Sequence, residues 1–332
     1  MIKNISITTP TIGRIAIGEM RTTEDGRRQP VRLNHFMITT QFKKQGEWVT
    51  HPIQQHVEAA TGAQDGKLKT IPVKLMFNTP ELNVTSRLEA YNQHGQLVCA
   101  GNGEKARRVV DNAIETVDCV GCDSCKFGIE NRCDKFVRLN VLINVEAADY
   151  PMDGMSGFIV RSRGHNTYKA LTGKIERLAK LFKGNLIGIP MVLRLIGKSS
   201  KTSKNAPFYY VALDLAQDII KSAEYAKAAR NALAEADIDQ QAYEEIALEQ
   251  LSRGVFFDSE EESLELEEFP ITFDPDEPIR VCEEAKGNGL PPQLTDSMPE
   301  IGLGHLRQLI AQTGQAGAAQ GAKAGSAADA LA

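Results

Sequence analysis

Residues 119–133 read Cys119-Val-Gly-Cys122-Asp-Ser-Cys125-Lys-Phe-Gly-Ile-Glu-Asn-Arg-Cys133, and the stretch Val137-Arg-Leu-Asn-Val-Leu-Ile-Asn-Val145 follows them. The first stretch gathers four of the six cysteines of the chain into fifteen residues. The second alternates apolar and polar residues with the period of a half-buried β-strand. The sequence therefore predicts a cysteine-rich loop, residues 117–136, that leads into a strand.

The cysteine spacing favours a zinc ion bound by Cys119, Cys122, Cys125 and Cys133. Zinc takes four tetrahedral ligands, and a Cys-x2-Cys turn presents two thiolates to one ion with little strain. Two such turns overlap here, and the glycines at positions 121 and 128 allow the backbone to fold back towards the metal. Four thiolates leave no position for water, so the predicted Zn²⁺ is structural and not catalytic.

Three alternatives stay open for this cluster. An iron–sulfur cluster is the chemical rival, because Cys-x2-Cys-x2-Cys also opens the bacterial ferredoxin motif, but that motif continues with a shorter gap than the one here. Cys99 lies in the predicted turn Cys99-Ala-Gly-Asn-Gly103 and could replace one of the four ligands. Free cysteines are the third alternative, and four of them in so short a stretch count against it.

The rest of residues 1–214 indicates an α+β fold, a mainly antiparallel β body with one packed helix. Turn residues such as Asp25-Gly26 and Gln45-Gly46 separate strand-like runs. The predicted strands are 35–42, 71–77, 86–91, 137–145, 157–162, 189–196 and 207–213. Strand 157–162 is expected to pair antiparallel with 137–145. Residues 166–182 predict the helix, because Leu171, Ile175, Leu178 and Leu181 or Phe182 recur on one face.

The chain after residue 214 has a different organisation. Residues 215–235 and 240–253 predict two helices, and Gly254 stands where a helix C-terminus favours glycine. Helices joined by a short linker usually pair, so residues 215–254 are predicted to form a helical hairpin. Residues 255–332 are predicted to be an acidic, largely disordered tail with a short helix near 303–310.

Charge is distributed unevenly along the chain. Residues 1–210 carry 30 Lys and Arg against 19 Asp and Glu, residues 211–332 carry 8 against 24, and the net charge is −5. A basic body with an acidic tail is one pattern of proteins that meet nucleic acid. Solvated charge that is scattered unevenly explains the same composition equally well.

The sequence also argues against several classes of protein. No apolar run approaches the roughly 20 residues that span a bilayer, and the N-terminus lacks a signal-peptide pattern, so we expect a cytoplasmic protein with no membrane partner. A nucleophile elbow is absent, and Gly101-Asn-Gly-Glu-Lys105 lacks the spacing of a Walker loop. We therefore expect no catalysis and no small-molecule substrate.

Basic residues interleaved with hydroxyl and aromatic side chains form a candidate surface for DNA or a protein partner. They lie before the cysteine loop, within it, and in the loop 197–204 that precedes an aromatic strand. The candidate residues are Lys105, Arg107, Arg108, Lys126, Arg132, Lys135, Lys198, Lys201 and Lys204. A solvated surface without a partner is the competing interpretation.

Several stretches within residues 1–215 resemble one family in their order and spacing. They are Ile71-Pro-Val-Lys-Leu-Met-Phe-Asn-Thr-Pro-Glu81-Leu, Cys99-Ala-Gly-Asn-Gly-Glu104, Cys133 with Arg138-Leu139, Arg163-Gly-His-Asn166-Thr with Leu171, Gly188-Ile-Pro190, Gly197-Lys-Ser and Ala206-Pro-Phe-Tyr-Tyr-Val211. The chain is similar to zinc-motif proteins of phages, prophages and integrative elements that group with the recombination directionality factors of large serine integrases. Relatives often carry a metal-binding or hydrolase label.

The resemblance implies a non-catalytic accessory of DNA recombination. Such a factor binds a serine integrase on its attachment sites and shifts it towards excision, with DNA contacted directly or through the integrase. The family usually has three loop cysteines, matching Cys119, Cys125 and Cys133, which leaves the fourth ligand open between Cys122 and Cys99. The family's glycine before the Arg-Leu pair is Val137 here.

Two other functions are weighed against this one. The first is a nucleic-acid-binding accessory to replication or homologous recombination in a phage or integrative element. The second is a metal-dependent hydrolase, which requires a metal site with an open position for water.

Overall fold

The computed structural model describes residues 7–22, 28–44, 47–63, 66–94, 96–111, 113–147, 150, 152–199 and 207–252. The strands are β1 (Thr11–Thr22), β2 (Arg28–Lys44), β3 (Glu47–Thr50), β4 (Thr70–Lys74), β5 (Val84–Tyr91), β6 (Leu97–Gly101), β7 (Lys105–Val110), β8 (Ala113–Asp118), β9 (Asp134–Ile143), β10 (Gly157–Ser162), β11 (Met191–Ser199) and β12 (Pro207–Leu215). The helices are α1 (Ile53–Thr61), α2 (Pro80–Asn83), α3 (Lys126–Glu130), α4 (His165–Leu181), α5 (Ile219–Glu235) and α6 (Gln240–Ser252).

Within these residues, the strands join into one branched sheet that is mostly antiparallel. Its longest path runs in the order β3-β2-β1-β10-β9-β5-β6-β7-β8, and a branch adds β4, β11 and β12. The pairing between β1 and β10 is parallel. The prediction of an α+β fold with a mainly antiparallel sheet is confirmed.

Strand β9 is the centre of this sheet. Its alternating apolar side chains Val137, Leu139, Val141 and Ile143 are all buried in the main core. One edge pairs with β10, with Val141 opposite Phe158, which confirms the predicted antiparallel neighbour. The other edge pairs with β5 and, at its end, with β4. The two branches of the sheet therefore meet at the strand that follows the cysteine loop.

Helix α4 covers this core, as its apolar periodicity predicts. Leu171, Ile175 and Leu178 are buried against β-sheet residues. The fourth position of the apolar face is Phe182, which is buried, whereas the side chain of Leu181 is 52% exposed. The helix thus presents the residue just beyond its last turn to the core.

The turn predicted at residues 99–103 is shorter than expected. Cys99 lies inside β6, paired with Arg108 of β7, so the prediction that Cys99 occupies a turn was wrong. The reversal occurs at residues 102–104, where the Asn102 side chain accepts hydrogen bonds from the N–H groups of Glu104 and Lys105 at 2.9 Å. This local side-chain bonding fixes the turn one position after the strand ends.

The two helices predicted after the sheet are present as α5 and α6. Helix α5 reaches the main core through Ala226, and it packs so closely on Gly188 that a Cβ there would lie 2.4 Å from Ala229 Cβ. Helix α6 packs against α2, where its buried Glu244 accepts hydrogen bonds from the backbone of Asn78 and Thr79 at 2.7 Å. Pairing of α5 with α6 as a hairpin stays a prediction. The predicted acidic tail and its short helix near 303–310 lie outside the described residues.

None of the helices that the structure describes has both the length and the apolar character needed to cross a membrane.

Candidate metal centre and basic surfaces

Five cysteines from different elements surround one end of the sheet, here called the cysteine lobe (residues 97–136). Cys99 comes from β6, Cys119 follows β8, and Cys122 lies in the loop between β8 and α3. Cys125 is the N-cap of α3, and Cys133 immediately precedes β9. The pairing of strands along the sheet thus places Cys99 beside the four cysteines of the motif.

The local conformation of the loop depends on two glycines. Gly121 has a φ of +86°, a region that glycine enters without steric cost. Gly128 is buried, and a Cβ there would lie 3.0 Å from Cys133 Cβ and 3.2 Å from Cys125 Cβ. Only a residue without a side chain lets α3 approach both cysteines this closely. The role that the sequence assigns to these glycines agrees with their positions.

The cysteine thiols approach one another in this corner. Cys122 Sγ lies 3.0 Å from Cys133 Sγ. Burial raises the pKa of Cys133, and the neighbouring thiols Cys122, Cys99 and Cys119 raise it further. Burial also raises the pKa of Cys99, against the opposing effect of Arg108. Burial and the neighbouring thiols thus favour the neutral form of Cys133.

Arg108 supplies positive charge directly at this cluster. Its guanidinium donates a hydrogen bond to Cys125 Sγ at 3.3 Å and lies 4.2 Å from the centre of the Phe127 ring. The same guanidinium lowers the pKa of Cys99 and so partly offsets the effect of burial on that thiol. Because strand residues alternate between faces, Arg108 points to the cysteines, while its neighbours Lys105 and Arg107 project to the opposite face of β7. Arg108 thus serves the cysteine cluster in the structure, and its role in DNA binding stays a prediction.

The donor set suits a thiophilic metal, but the positions of the sulfurs do not define a site. No three Cys, His, Asp or Glu side chains among the described residues are arranged to hold one metal ion. The soft thiolate donors and their Cys-x2-Cys spacing match zinc chemistry. Cys99 packs in the same cluster as Cys119 and Cys133, so both candidates for the fourth ligand stay open. Zinc and its ligands remain a proposal.

The predicted basic residues before the loop face a groove on the other side of the sheet. Lys105 and Arg107 line a cleft of about 720 Å³, together with Arg87 of β5 and residues of α4 and α6. Lys105 forms a salt bridge with Asp118 of the neighbouring strand at 2.5 Å. The cleft combines these basic side chains with an apolar wall that includes Leu248, and Glu81 and Glu176 also line it.

The remaining basic candidates that the structure describes lie on two different parts of the sheet. Lys126 and Arg132 are exposed on the cysteine lobe, and Lys135 is half-buried at the start of β9. Lys198 is exposed at the end of β11, which belongs to the other branch of the sheet. Lys201 and Lys204 lie outside the described residues.

Sequence reasoning missed two features of the surface. Val120 and Ile129, which flank the cysteines, are 61% and 63% exposed. Their apolar character, at positions between the cysteines of the motif, could have predicted an exposed apolar surface. The second feature is a basic and aromatic hairpin, described below, which the sequence analysis treated as an ordinary strand and turn.

These features define an α+β protein with a cysteine-rich lobe at one end of a long antiparallel sheet. The family model described as Gp3-like, recombination directionality factor-like, matches residues 12–216, and the chain belongs to this family. No curated protein and no solved structure matches the chain. The matched region begins in β1 and ends directly after β12, so it includes the whole sheet and the cysteine lobe.

Proposed function

We propose that this protein is a non-catalytic accessory of DNA recombination that binds a serine integrase and shifts it towards excision. The observation that carries this proposal is the match of the directionality-factor family to the entire sheet and cysteine lobe. The match supports a role in recombination. The integrase as partner and excision as the favoured direction are the finer parts of the proposal.

In physical terms, such a factor changes which of two protein–DNA assemblies is more stable. A partner that binds one assembly more tightly than the other shifts the equilibrium by the ratio of those affinities. Typical coupling of about 1–3 kcal/mol corresponds to a change of roughly 5- to 150-fold, which is enough to reverse a modest preference. Chemistry by the accessory itself is not needed for this effect.

The cysteine lobe is the surface that we assign to the integrase. The side chains of Val120 and Ile129 are largely exposed. Val120 follows Cys119, whose N–H donates to the carbonyl of Glu104 at 2.9 Å, and Ile129 lies in α3, where its N–H donates to the carbonyl of Cys125 at 2.9 Å. Exposed apolar side chains next to Lys126 and Arg132 combine the two properties of a protein interface, an apolar centre and a charged rim.

A structural zinc ion is the second part of the proposal. Cys119, Cys125 and Cys133 would hold it with either Cys122 or Cys99, and a closed thiolate site supplies rigidity without catalysis. Arg108 would then offset the negative charge that four thiolates leave around a divalent ion. The lobe would present Lys126, Arg132 and Val120 in fixed positions.

One observation favours a second candidate function, a nucleic-acid-binding accessory to replication or homologous recombination. The cleft is lined by Arg87, Lys105 and Arg107; Arg87 and Lys105 pair with Glu89 and Asp118, and Arg107 is exposed. Binding of DNA without any effect of an integrase would support this alternative.

The partner is tested by association with the integrase encoded in the same element. We expect the purified protein to co-sediment with the integrase, and the double variant V120S/I129S to lose most of this association while keeping its thermal stability. Ile114, also apolar and exposed at the far end of β8, provides the matched control I114S. Absence of association by the unaltered protein would refute the proposed partner.

A further inference from the structure

The end of strand β2 and strand β3 form a bulged hairpin (residues 39–44 and 47–50). Thr39 pairs with Thr50 and Lys43 pairs with Trp48, so three residues of β2 lie opposite Val49 alone. Extra residues in one strand bend it and turn side chains out of the regular ladder. Gln41 and Phe42 lie in this bulge, and both are exposed.

The bulge is held by specific hydrogen bonds. The Thr40 hydroxyl donates to the carbonyl of Val49 at 3.2 Å and accepts from the N–H of Phe42 at 3.4 Å. The side-chain amide of Gln41 donates to the carbonyl of Thr11 on β1. The Phe42 side chain is nevertheless 57% exposed. A large apolar side chain thus stays exposed to water, at a cost in free energy that a bound partner can recover.

Two lysines follow Phe42 in the strand, and a second aromatic ring, Trp48, lies across from the first of them. The Trp48 ring lies 3.9 Å from the Arg14 guanidinium carbon and 4.4 Å from the Lys43 ammonium nitrogen. Lys43 and Lys44 are exposed and adjacent to Phe42. The hairpin therefore joins an exposed apolar side chain to adjacent lysines, and the contact with Trp48 limits the motion of one of them.

We propose that the bulged hairpin contacts duplex DNA, with Lys43 and Lys44 on phosphates and Phe42 as an apolar contact in the groove. Lysines bind the phosphate backbone, and apolar side chains enter the minor groove of duplexes in many proteins. The proposal rests on the proposed function only in placing the protein at recombining DNA. An acidic protein surface is the competing partner, and the experiment distinguishes the two.

The test compares charge and apolar variants in the full chain by fluorescence anisotropy with a duplex of the element's attachment site. Each lost phosphate contact lowers the slope of log affinity against log salt by about 0.9, so K43Q/K44Q is expected to lower it by about 1.8. K43R/K44R should keep the slope. F42A should weaken binding about tenfold with an unchanged slope, because an apolar contact releases no counterions.

The matched control lies at the C-terminal end of α4. K180Q/L181A removes one exposed lysine and one exposed apolar side chain of similar accessibility and should bind DNA like the unaltered chain. Trp48 is the only tryptophan of the chain, so its fluorescence reports ligand contact beside Lys43 directly. We expect DNA to change this fluorescence, and the K43Q/K44Q variant to lose most of that change.

The inference would be overturned if the unaltered chain did not bind DNA, or bound it with an affinity independent of salt. Equal DNA affinity of the hairpin variants and the control would also overturn it. Loss of integrase association in the hairpin variants, with DNA affinity unchanged, would assign the hairpin to a protein partner and also refute it. Association of the integrase with the lobe is measured separately, so a failure of this inference leaves the proposed function intact.

Discussion

At the scale of single residues, the ion pair between Glu89 and Arg138 lies at the base of the cysteine lobe. The Glu89 carboxylate is fully buried and accepts two hydrogen bonds from Arg138, at 2.8 and 2.9 Å, and one from the Tyr91 hydroxyl. Burial by itself would raise the pKa of Glu89, but the contacts with Arg138, Arg87 and Tyr91 outweigh it and lower the pKa. The ion pair between Glu89 and Arg138 therefore links β5 to β9 next to the cysteine lobe.

Replacing Glu89 with Gln should destabilise the protein by about 3–5 kcal/mol, because it leaves the Arg138 charge buried without its partner. Since the folded pKa of Glu89 is depressed, its stabilising effect exists above the unfolded pKa and disappears as pH falls through the folded value. Urea unfolding at neutral pH and at about pH 3 measures both effects. The free energies of unfolding of E89Q and the unaltered chain should differ less at low pH. Exposed Glu115 on β8 provides the control E115Q, which should unfold like the unaltered chain.

The cysteines give the second residue-scale prediction. Cys125→Ser or Cys133→Ser should reduce bound zinc from about one ion per chain to well below that value and lower the thermal stability, because metal binding and folding are coupled. Cys99→Ser and Cys122→Ser should differ in the amount of bound zinc, since the ion needs only one of these two cysteines as its fourth ligand. Metal content by mass spectrometry and thermal unfolding provide the measurements.

Cys282, the sixth cysteine, lies outside the motif and supplies the control C282S, which should keep its metal. Metal-free unaltered protein with unimpaired thermal stability would contradict the proposed zinc site. Iron in place of zinc would assign the cluster to the rival iron–sulfur chemistry.

At the scale of elements, helix α6 is held to the body by one buried carboxylate and by apolar contacts with Met76, Phe77 and Leu82. Glu244 accepts hydrogen bonds from the N–H groups of Asn78 and Thr79 and from the Gln240 side chain, and the neighbouring Tyr243 ring stacks on Phe77 at 5.8 Å between ring centroids. The family match stops at residue 216. Residues beyond the matched region therefore pack on a motif, 71–82, that lies inside it.

Glu244→Ala should loosen the attachment of α6 to the body while its apolar contacts remain, because the N–H donors of residues 78 and 79 lose their acceptor at a cost of about 1–3 kcal/mol. Hydrogen exchange should then become faster in α6 and α2 and stay unchanged in β9. Glu245, the next residue, is exposed, so E245A is the control. Slow exchange of α6 in E244A would show that other contacts hold the helix.

The elements also show how far the sequence could predict the fold. Strands with clear alternation, such as β9 and β10, and the amphipathic helix α4 were predicted close to their observed bounds. Strand β8 was missed because its residues are almost all exposed, so no apolar period marks it. Residues 99–103 were predicted as a turn because they contain Gly101 and Gly103. In the structure, Gly101 still belongs to β6 and pairs with Ala106. Both β8 and the strand that contains Cys99 form through pairing with neighbouring strands, which the local sequence pattern does not reveal.

At the scale of the whole molecule, the candidate site was predictable in composition and not in arrangement. The four motif cysteines follow from spacing alone, whereas the presence of Cys99 and Arg108 beside them depends on the pairing of β6 with β7. Alternation along β7 separates Arg108 from Lys105 and Arg107, which the sequence had grouped together. The bulged hairpin escaped prediction because a bulge breaks the regular period on which strand prediction relies.

The whole molecule thus presents three separate surfaces around one sheet: the cysteine lobe, the basic cleft behind it, and the bulged hairpin at the other end of the strand order. A protein that joins an integrase to DNA needs at least two distinct contacts. Separation of these surfaces allows variants to remove one contact and leave the other, so each proposed contact can be measured alone.

The most direct test of the account is recombination by the purified integrase of the same element, measured in both directions on paired attachment sites. With increasing amounts of this protein, we predict that excision rises and integration falls together, and that V120S/I129S has little effect on either. Unchanged rates in both directions, with folded protein in excess over the integrase, would contradict the central claim.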